Sequence, residues 1–126
     1  MASSVLVVDD HPLFRELIIE LLELDGYRVL AAESAEVGLR LAATAEPVLI
    51  LMDFQLPRMS GPEAIRRLKA DPTTASIPVL ALSGSGTEDD ARRAREAGAD
   101  AFLAKPMETA IFRETVGRLL ARDGGE

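Results

Sequence analysis

Residues 48–53 read Val-Leu-Ile-Leu-Met-Asp, an unbroken apolar run that ends at a carboxylate. Successive side chains of a strand point to opposite faces, so a run that is apolar at every position predicts a strand buried on both faces. Strands of this kind occur in parallel sheets that are covered by helices on each side. The stretch therefore predicts an α/β fold in which Asp53 stands where a buried strand ends.

Apolar runs alternate with amphipathic segments along the rest of the chain. Strands are predicted at Val5–Val8, Arg28–Ala32, Val48–Met52, Pro78–Leu82 and Ala101–Leu103. Helices are predicted at Pro12–Leu24, Ser34–Ala43, Ser60–Ala70, Thr87–Ala97 and Glu108–Arg122, with Ser34, Ser60 and Thr87 as N-caps. No linker or repeat interrupts this alternation. It predicts one domain over residues 1–126, with a core from about 5 to 120 and a fraying tail at 122–126.

Two of the predicted helices show clear apolar patterns. The first carries two adjacent apolar rows, with Leu13, Leu17, Leu21 and Leu24 in one and Phe14, Ile18 and Leu22 in the other. The last has one apolar face, formed by Ile111, Phe112, Val116, Leu119 and Leu120. Gly26 and Gly98 follow the first and fourth helices at positions typical of helix C-terminal caps.

Composition excludes several classes of protein. The chain has no cysteine, which excludes disulfides and thiolate metal sites and suits a reducing cytoplasm. Its net charge is −7, and its basic residues are interleaved with acids, so we expect no direct nucleic-acid partner. The apolar run near the N-terminus, Val5–Val8, is too short for a signal peptide or a membrane span. We therefore expect a cytoplasmic domain without a membrane partner.

Polar residues follow four of the five predicted strands. Asp9 and Asp10 come after the first strand, Asp53 after the third, Ser83 after the fourth and Lys105 shortly after the fifth. Ligands of open α/β sheets bind at the carboxyl ends of the strands, so these side chains are expected to share one crevice. Three neighbouring carboxylates repel one another unless a cation neutralises them. Oxygen ligands without His or Cys favour a hard cation such as Mg²⁺.

A carboxylate, a metal ion, an ammonium and a hydroxyl together have a specific chemical use. The carboxylate can attack phosphorus, while the metal ion and the ammonium offset the charge of the phosphoryl oxygens and the hydroxyl donates a hydrogen bond. The pattern therefore predicts transfer of a phosphoryl group onto Asp53, with Lys105 and Ser83 assisting.

The motifs that carry these residues resemble those of a known family. They are Val-Asp-Asp at 8–10, Met-Asp-Phe-Gln-Leu-Pro at 52–57, Met-Ser-Gly at 59–61, Leu-Ser-Gly at 82–84, Gly-Ala-Asp at 98–100 and Lys-Pro at 105–106. In this order, the chain from Val5 to Leu120 is similar to the receiver domains of response regulators, the CheY-like superfamily of two-component signalling. The resemblance implies a five-stranded parallel sheet of order 2-1-3-4-5 with helices on both faces.

The resemblance also implies roles for the residues of the site. Asp53 would accept the phosphoryl group from a phosphohistidine of a sensor histidine kinase or a phosphotransfer protein. Asp10 and Asp53 would ligate Mg²⁺ directly with the backbone carbonyl of Gln55, and Asp9 would act mainly through a metal-bound water. Lys105 would pair with the phosphoryl group, and the Lys105–Pro106 peptide bond is expected to be cis.

A switch and a docking surface are implied in the same way. Ser83 would turn inward to hydrogen-bond the phosphoryl group, and Phe102 would follow it. Gln55 and Ser85 would tune the lifetime of the phosphoryl group. A downstream protein or a second copy of the chain would dock on the face formed by the Thr87–Ala97 helix, the Phe102 strand and the final helix. The implied function is signalling by a phosphoacceptor rather than an enzyme.

Three other functions share part of this pattern. A haloacid-dehalogenase-like phosphatase needs a second acid two residues after the nucleophile, where this chain has Gln55. A flavodoxin-like FMN carrier needs a phosphate loop after the first strand, where Asp9 and Asp10 would repel a phosphate. A degenerate receiver that binds partners without phosphorylation would lack one of the acids or the lysine. His11 leads into Pro12 and is interpreted as a loop residue rather than a metal ligand. The domain is expected to stand alone, although a place in a longer protein stays open.

Overall fold

The structure is a computed structural model that describes residues 3–124, with side chains described up to Ala121. Strands and helices alternate along the described chain. The strands are β1 (Ser4–Val8), β2 (Arg28–Ala32), β3 (Leu49–Asp53), β4 (Val79–Ser83) and β5 (Ala101–Ala104). The helices are α1 (Pro12–Leu24), α2 (Ala35–Ala45), α3 (Gly61–Ala70), α4 (Glu88–Ala97) and α5 (Thr109–Gly124). No helix among these residues is long and apolar enough to cross a membrane.

The five strands form one parallel sheet in the order β2-β1-β3-β4-β5, so the predicted topology is confirmed. Every residue of β3 is buried, as the apolar run at 48–53 predicted, and every residue of β4 is buried as well. The edge strands β2 and β5 are partly exposed. The order places the carboxyl ends of β1, β3 and β4 side by side at the middle of one sheet edge.

Helices cover both faces of the sheet because the side chains of each central strand alternate between them. One face packs against α2, α3 and α4, with Leu6, Val8, Ile50, Met52, Ala64, Ile65, Leu68, Ala81, Ala94 and Ala97 among its buried residues. The other face packs against α1 and α5, with Val5, Val7, Ile18, Leu22, Leu49, Leu51, Leu80, Leu82, Phe112, Val116 and Leu119 buried.

The predicted helix caps are present. The hydroxyls of Ser34, Ser60 and Thr87 accept hydrogen bonds from backbone N–H groups three residues ahead, at 3.2, 3.3 and 3.0 Å. Each bond satisfies one of the free donors at the start of its helix. Gly26 follows the end of α1 with a φ of 94°, and Gly98 ends α4 with a φ of 110°, both in the region that favours glycine.

Several details differ from the sequence-based expectations. Leu13, Leu17 and Leu24 on α1 are 75%, 53% and 73% exposed, because the row that contains Ile18 and Leu22 is the one that faces the sheet. Ile111 is 44% exposed, although Phe112 beside it is buried, since α5 turns that position away from the core.

The third difference concerns His11, which is not a plain loop residue. Its Nδ1 accepts a hydrogen bond from the backbone N–H of Phe14 at 3.3 Å, so the imidazole caps α1. The end of α5 also lies further along the chain than expected, at Gly124 rather than Arg122. The last two residues of the predicted tail, 125 and 126, lie outside the described residues.

Candidate functional site

The loops of the site are tied by backbone hydrogen bonds to the strands beside them. Asp9 N–H donates to the Ala32 carbonyl at 3.0 Å, and Phe54 N–H donates to the Leu82 carbonyl at 2.8 Å. Lys105 N–H donates to the Ser83 carbonyl at 2.8 Å. These bonds continue the sheet pairing by one residue and tie the backbone of the candidate site residues to the neighbouring strands.

Three carboxylates meet at this edge. Asp9, Asp10 and Asp53 each offer a carboxylate oxygen, and these oxygens all lie within 4.8 Å of one another. Asp9 is 1% exposed and Asp53 is 3% exposed, whereas Asp10 reaches solvent. Burial raises the pKa of Asp53, and the negative charge of Asp9 raises it further, against the opposing effect of Lys105.

Lys105 supplies the positive charge. Its Nζ lies 3.0 Å from Asp9 Oδ2 and 3.0 Å from Asp53 Oδ1. It also lies over the ring of Phe14, 4.5 Å from the ring centre, at a distance typical of a cation–π contact. Burial lowers the pKa of Lys105, but the two carboxylates outweigh that effect and the pKa is raised. The ammonium is therefore charged and directed at the acids.

The oxygens of these acids are not equally available to a metal ion. Asp9 Oδ1 accepts the backbone N–H of His11 at 2.8 Å, and Asp9 Oδ2 accepts the ammonium of Lys105. Asp53 Oδ1 is buried and, among the described residues, has no hydrogen-bond donor beyond the ion pair with Lys105. One ammonium does not neutralise three carboxylates, so the donor set fits a hard divalent cation with Asp10 and Asp53 as its most accessible ligands.

An open groove lies beside Asp10, the exposed member of this cluster. It has a volume of about 480 Å³, and Asp10, Glu33, Ser34, Pro57 and Arg58 are among its lining residues. The groove leaves room beside Asp10 for water molecules or for part of a phosphodonor.

Gly61 allows the first turn of α3 to lie against the backbone of Asp53. Its N–H donates to the Phe54 carbonyl at 2.9 Å. A Cβ at this position would lie 2.2 Å from the carbonyl oxygen of Asp53 and 2.7 Å from the Cα of Phe54. Only a glycine leaves this space, which gives the Met-Ser-Gly motif a physical reason.

Ser83 is fully buried at the end of β4, and its hydroxyl is directed at α4. Ser83 Oγ donates to Asp90 Oδ2 at 2.7 Å, and the hydroxyl of Ser85 donates to the same oxygen. Both hydroxyls lower the pKa of Asp90, and the hydrogen bond from Ser85 has the larger effect. In this structure Ser83 is therefore bonded to Asp90, while the acids and Lys105 form a separate group.

Sequence analysis assigned no role to Asp90. A signal was present, because Asp90, Ala94 and Ala97 share the spacing of one helix face. All three are buried. Adjacent residues of a helix point in different directions, so Asp90 faces the core while its neighbour Asp89 is exposed.

The remaining predicted residues lie around the site. Phe102 is half-buried on β5 and packs edge-on against Phe54, with ring centres 5.9 Å apart. Gln55 and Ser85 are exposed on the loops after β3 and β4. The Lys105–Pro106 peptide bond is cis.

Comparison with known proteins gives relatives of one kind. Residues 5–117 match the family model described as the response regulator receiver domain. The chain is 40% identical over 121 residues to the phosphate regulon transcriptional regulatory protein PhoB of Pseudomonas aeruginosa, covering 96% of this chain and 52% of PhoB. It is 38% identical over 116 residues to the polar-differentiation response regulator DivK of Brucella ovis, covering 92% of this chain and 94% of DivK. The chain thus spans about half the length of PhoB and nearly all of DivK.

Solved structures agree with the sequence relatives. The receiver domain of a signal transduction histidine kinase from Syntrophus aciditrophicus superposes with a TM-score of 0.88 at 32% identity, covering 96% of this chain and 92% of that one. The receiver domain of a sensor histidine kinase from Pseudomonas aeruginosa, which holds a magnesium ion in its active-site cleft, superposes with a TM-score of 0.89 at 28% identity, covering 96% and 99%. The chain belongs to the response regulator receiver domain family of two-component signalling systems.

Proposed function

We propose that this receiver takes a phosphoryl group onto Asp53 from a phosphohistidine of a sensor histidine kinase or a phosphotransfer protein. The observation that carries the proposal is the state of the Asp53 carboxylate. It is buried, and its Oδ1 faces the ammonium of Lys105 at 3.0 Å. An under-solvated carboxylate beside a fixed cation is a suitable nucleophile for phosphorus.

The transfer is a substitution at phosphorus. An oxygen of the Asp53 carboxylate bonds to phosphorus, the P–N bond of the phosphohistidine breaks, and the released imidazole nitrogen takes a proton. The product is an acyl phosphate. Lys105 balances the negative charge that enters the crevice. A Mg²⁺ ion held by Asp10, Asp53 and the backbone carbonyl of Gln55, with Asp9 acting through water, would supply further charge balance at the phosphoryl oxygens.

Phosphorylation changes the surface that binds partners, and the protein does not act by converting a substrate into a product. Ser83 donates its hydrogen bond to the new phosphoryl oxygens, and Phe102 moves with the loop after β4. The face made by α4, β5 and α5 then binds a downstream protein or a second copy of the chain. Gln55 and Ser85 border the phosphoryl group and affect how long it lasts. We place this signalling role in the cytoplasm.

Labelling with acetyl phosphate tests the proposal directly. With Mg²⁺ the wild type should gain one phosphoryl group that resists acid and is lost in base, as an acyl phosphate is. Asp53→Asn should gain none, and chelation of Mg²⁺ should prevent labelling. Asp25→Asn, which removes an exposed acid at the end of α1, should label like the wild type. Intact-mass spectrometry measures all four reactions.

Two results would contradict the proposal. Full labelling of Asp53→Asn would place the phosphoacceptor elsewhere. A wild type that takes no label, from acetyl phosphate or from any histidine kinase of its host, would instead favour a receiver that binds its partners without phosphorylation.

A further inference from the structure

We propose that Asp90 is a positioning residue that holds the Ser83 hydroxyl out of the phosphorylation reaction and thereby lowers the affinity of the site for the phosphoryl group. The inference rests on the proposed function, since it concerns what opposes the phosphorylated state. Its physical basis is a competition between two acceptors for one proton.

The competition follows from the chemistry of a hydroxyl. Ser83 has a single O–H donor, and that donor is directed at Asp90 Oδ2 at 2.7 Å. The same donor cannot serve a phosphoryl oxygen on Asp53. Ser83 is fully buried and Asp90 is 7% exposed, so water has little access to take the place of either partner. The bond to a carboxylate is also of the stronger, charge-assisted kind.

The carboxylate of Asp90 is fixed from several sides. Ser85 donates to the same oxygen as Ser83, and Arg93 Nη1 lies 3.5 Å from the other oxygen. The backbone N–H of Asp90 donates to the hydroxyl of Thr87 at 3.0 Å. Ser85 and Arg93 contact Asp90 directly, so the carboxylate has other partners available when Ser83 leaves. The switch therefore exchanges one hydrogen bond without leaving a buried charge alone.

The contacts of Asp90 also extend to the switch aromatic. The guanidinium of Arg93 lies over the ring of Phe54, 5.5 Å from its centre. Phe54 in turn packs edge-on against Phe102. The Ser83–Asp90 bond and the position of Phe102 are thus linked by three successive contacts, so the loss of that bond has a packed route to β5.

Beryllium fluoride, a mimic of the phosphoryl group, measures the effect without a kinase. In excess Mg²⁺, Asp90→Ala should bind it about tenfold more tightly than the wild type, a factor that corresponds to roughly 1.4 kcal/mol. That gain lies just below the range for one hydrogen bond to a charged group. Asp90→Asn keeps the shape with a weaker neutral acceptor and should give a smaller gain. NMR titration yields each affinity.

Two controls separate the hydrogen bond from the loss of charge. Asp89→Ala removes the same charge one residue earlier, from a side chain that is 61% exposed, and should leave the affinity unchanged. In a Ser83→Ala/Ser85→Ala background, Asp90→Ala should bring no gain, because the donors that it competes for are absent. Circular dichroism checks the fold of each variant. If Asp90→Ala does not fold, the affinity of Asp90→Asn for beryllium fluoride tests the inference by itself.

The outcomes separate this inference from the proposed function. If the wild type does not bind beryllium fluoride, or Asp53→Asn binds it equally well, the proposed function fails and this inference falls with it. If the wild type binds but both Asp90 variants show unchanged or weaker affinity, only the inference is overturned. A gain that persists without the two serine hydroxyls also overturns it.

Discussion

At the scale of the residue, the site is a set of charges whose balance changes with pH. The main effect is on Asp53, whose pKa is raised by burial first and by the charge of Asp9 second. The folded protein therefore holds this proton at pH values at which the unfolded chain has lost it. Ionised Asp53 lowers the free energy of unfolding. The full reduction is present above the raised pKa of the folded state, and none remains below the ordinary pKa of the unfolded chain.

Asp53→Asn should therefore raise the free energy of unfolding near neutral pH when a chelator removes metal ions. The gain should shrink as the pH falls toward about 4, where the carboxyl of the unfolded chain also keeps its proton. Urea unfolding at several pH values measures it. Glu20→Gln, which changes an exposed acid on α1, should show no such trend. A variant that is less stable than the wild type at neutral pH would mean that the ion pair with Lys105 outweighs the burial of Asp53.

Most of the site was predictable at this scale, for one physical reason. The carboxyl ends of parallel strands meet at one edge, so Asp9, Asp53 and Lys105 had to converge once the strands were identified. The partner of Ser83 was not predictable in the same way. Asp90 stands in a run of acids, and the burial that sets it apart depends on how α4 packs against the sheet.

At the scale of the element, the apolar pattern predicted where the helices are but not always which face of a helix is buried. Helix α1 has apolar residues in two adjacent rows, so its own sequence permits either row to face the sheet. The row with Ile18 and Leu22 is buried, and Leu13 and Leu17 are left in solvent. The choice depends on the neighbouring strands and on α5, which no local pattern describes.

Two glycines in helices should respond in opposite ways to the same substitution. Gly61→Ala places a Cβ against the backbone of Asp53 and should destabilise the protein by about 1–3 kcal/mol, the usual range for overpacking. In exposed Gly117 of α5 a Cβ meets no atom within 4 Å, so Gly117→Ala should stabilise by roughly 0.5–1 kcal/mol. Chemical denaturation measures both, and acetyl phosphate labelling should slow only in Gly61→Ala. Equal stabilities would mean that α3 can shift away from β3 freely.

At the scale of the whole molecule, the sheet order places the proposed phosphoacceptor and the proposed docking face on neighbouring strands. Asp53 ends β3, Ser83 ends the adjacent β4, and Phe102 lies on β5 beyond it. In the proposed switch, a change at Asp53 crosses two strands to reach the face made by α4, β5 and α5. The strand order was predictable from the family resemblance, whereas the hydrogen bond that joins β4 to α4 required the folded structure.

In Ser83→Ala, binding of a phosphoryl mimic at Asp53 should no longer change the surroundings of Phe102. Asp53 should still bind beryllium fluoride, because the variant keeps the acids and Lys105. The NMR shifts that spread from residues 83–85 to Phe102 in the wild type should be lost beyond the site. Thr44→Ala, which removes an exposed hydroxyl on α2, should keep the full pattern. If Ser83→Ala still shows the shifts at Phe102, the coupling runs through another group.

The ammonium of Lys105 meets the carboxylate of Asp9 across 96 residues of chain. A ribosome releases a chain from its N-terminus, so all three acids of the crevice leave it well before the lysine does. Until β5 adds to the sheet, the growing chain has carboxylates with no ammonium to balance an incoming phosphoryl group. Under the proposed function, we therefore expect the phosphorylation site to be complete only after Lys105 has left the ribosome.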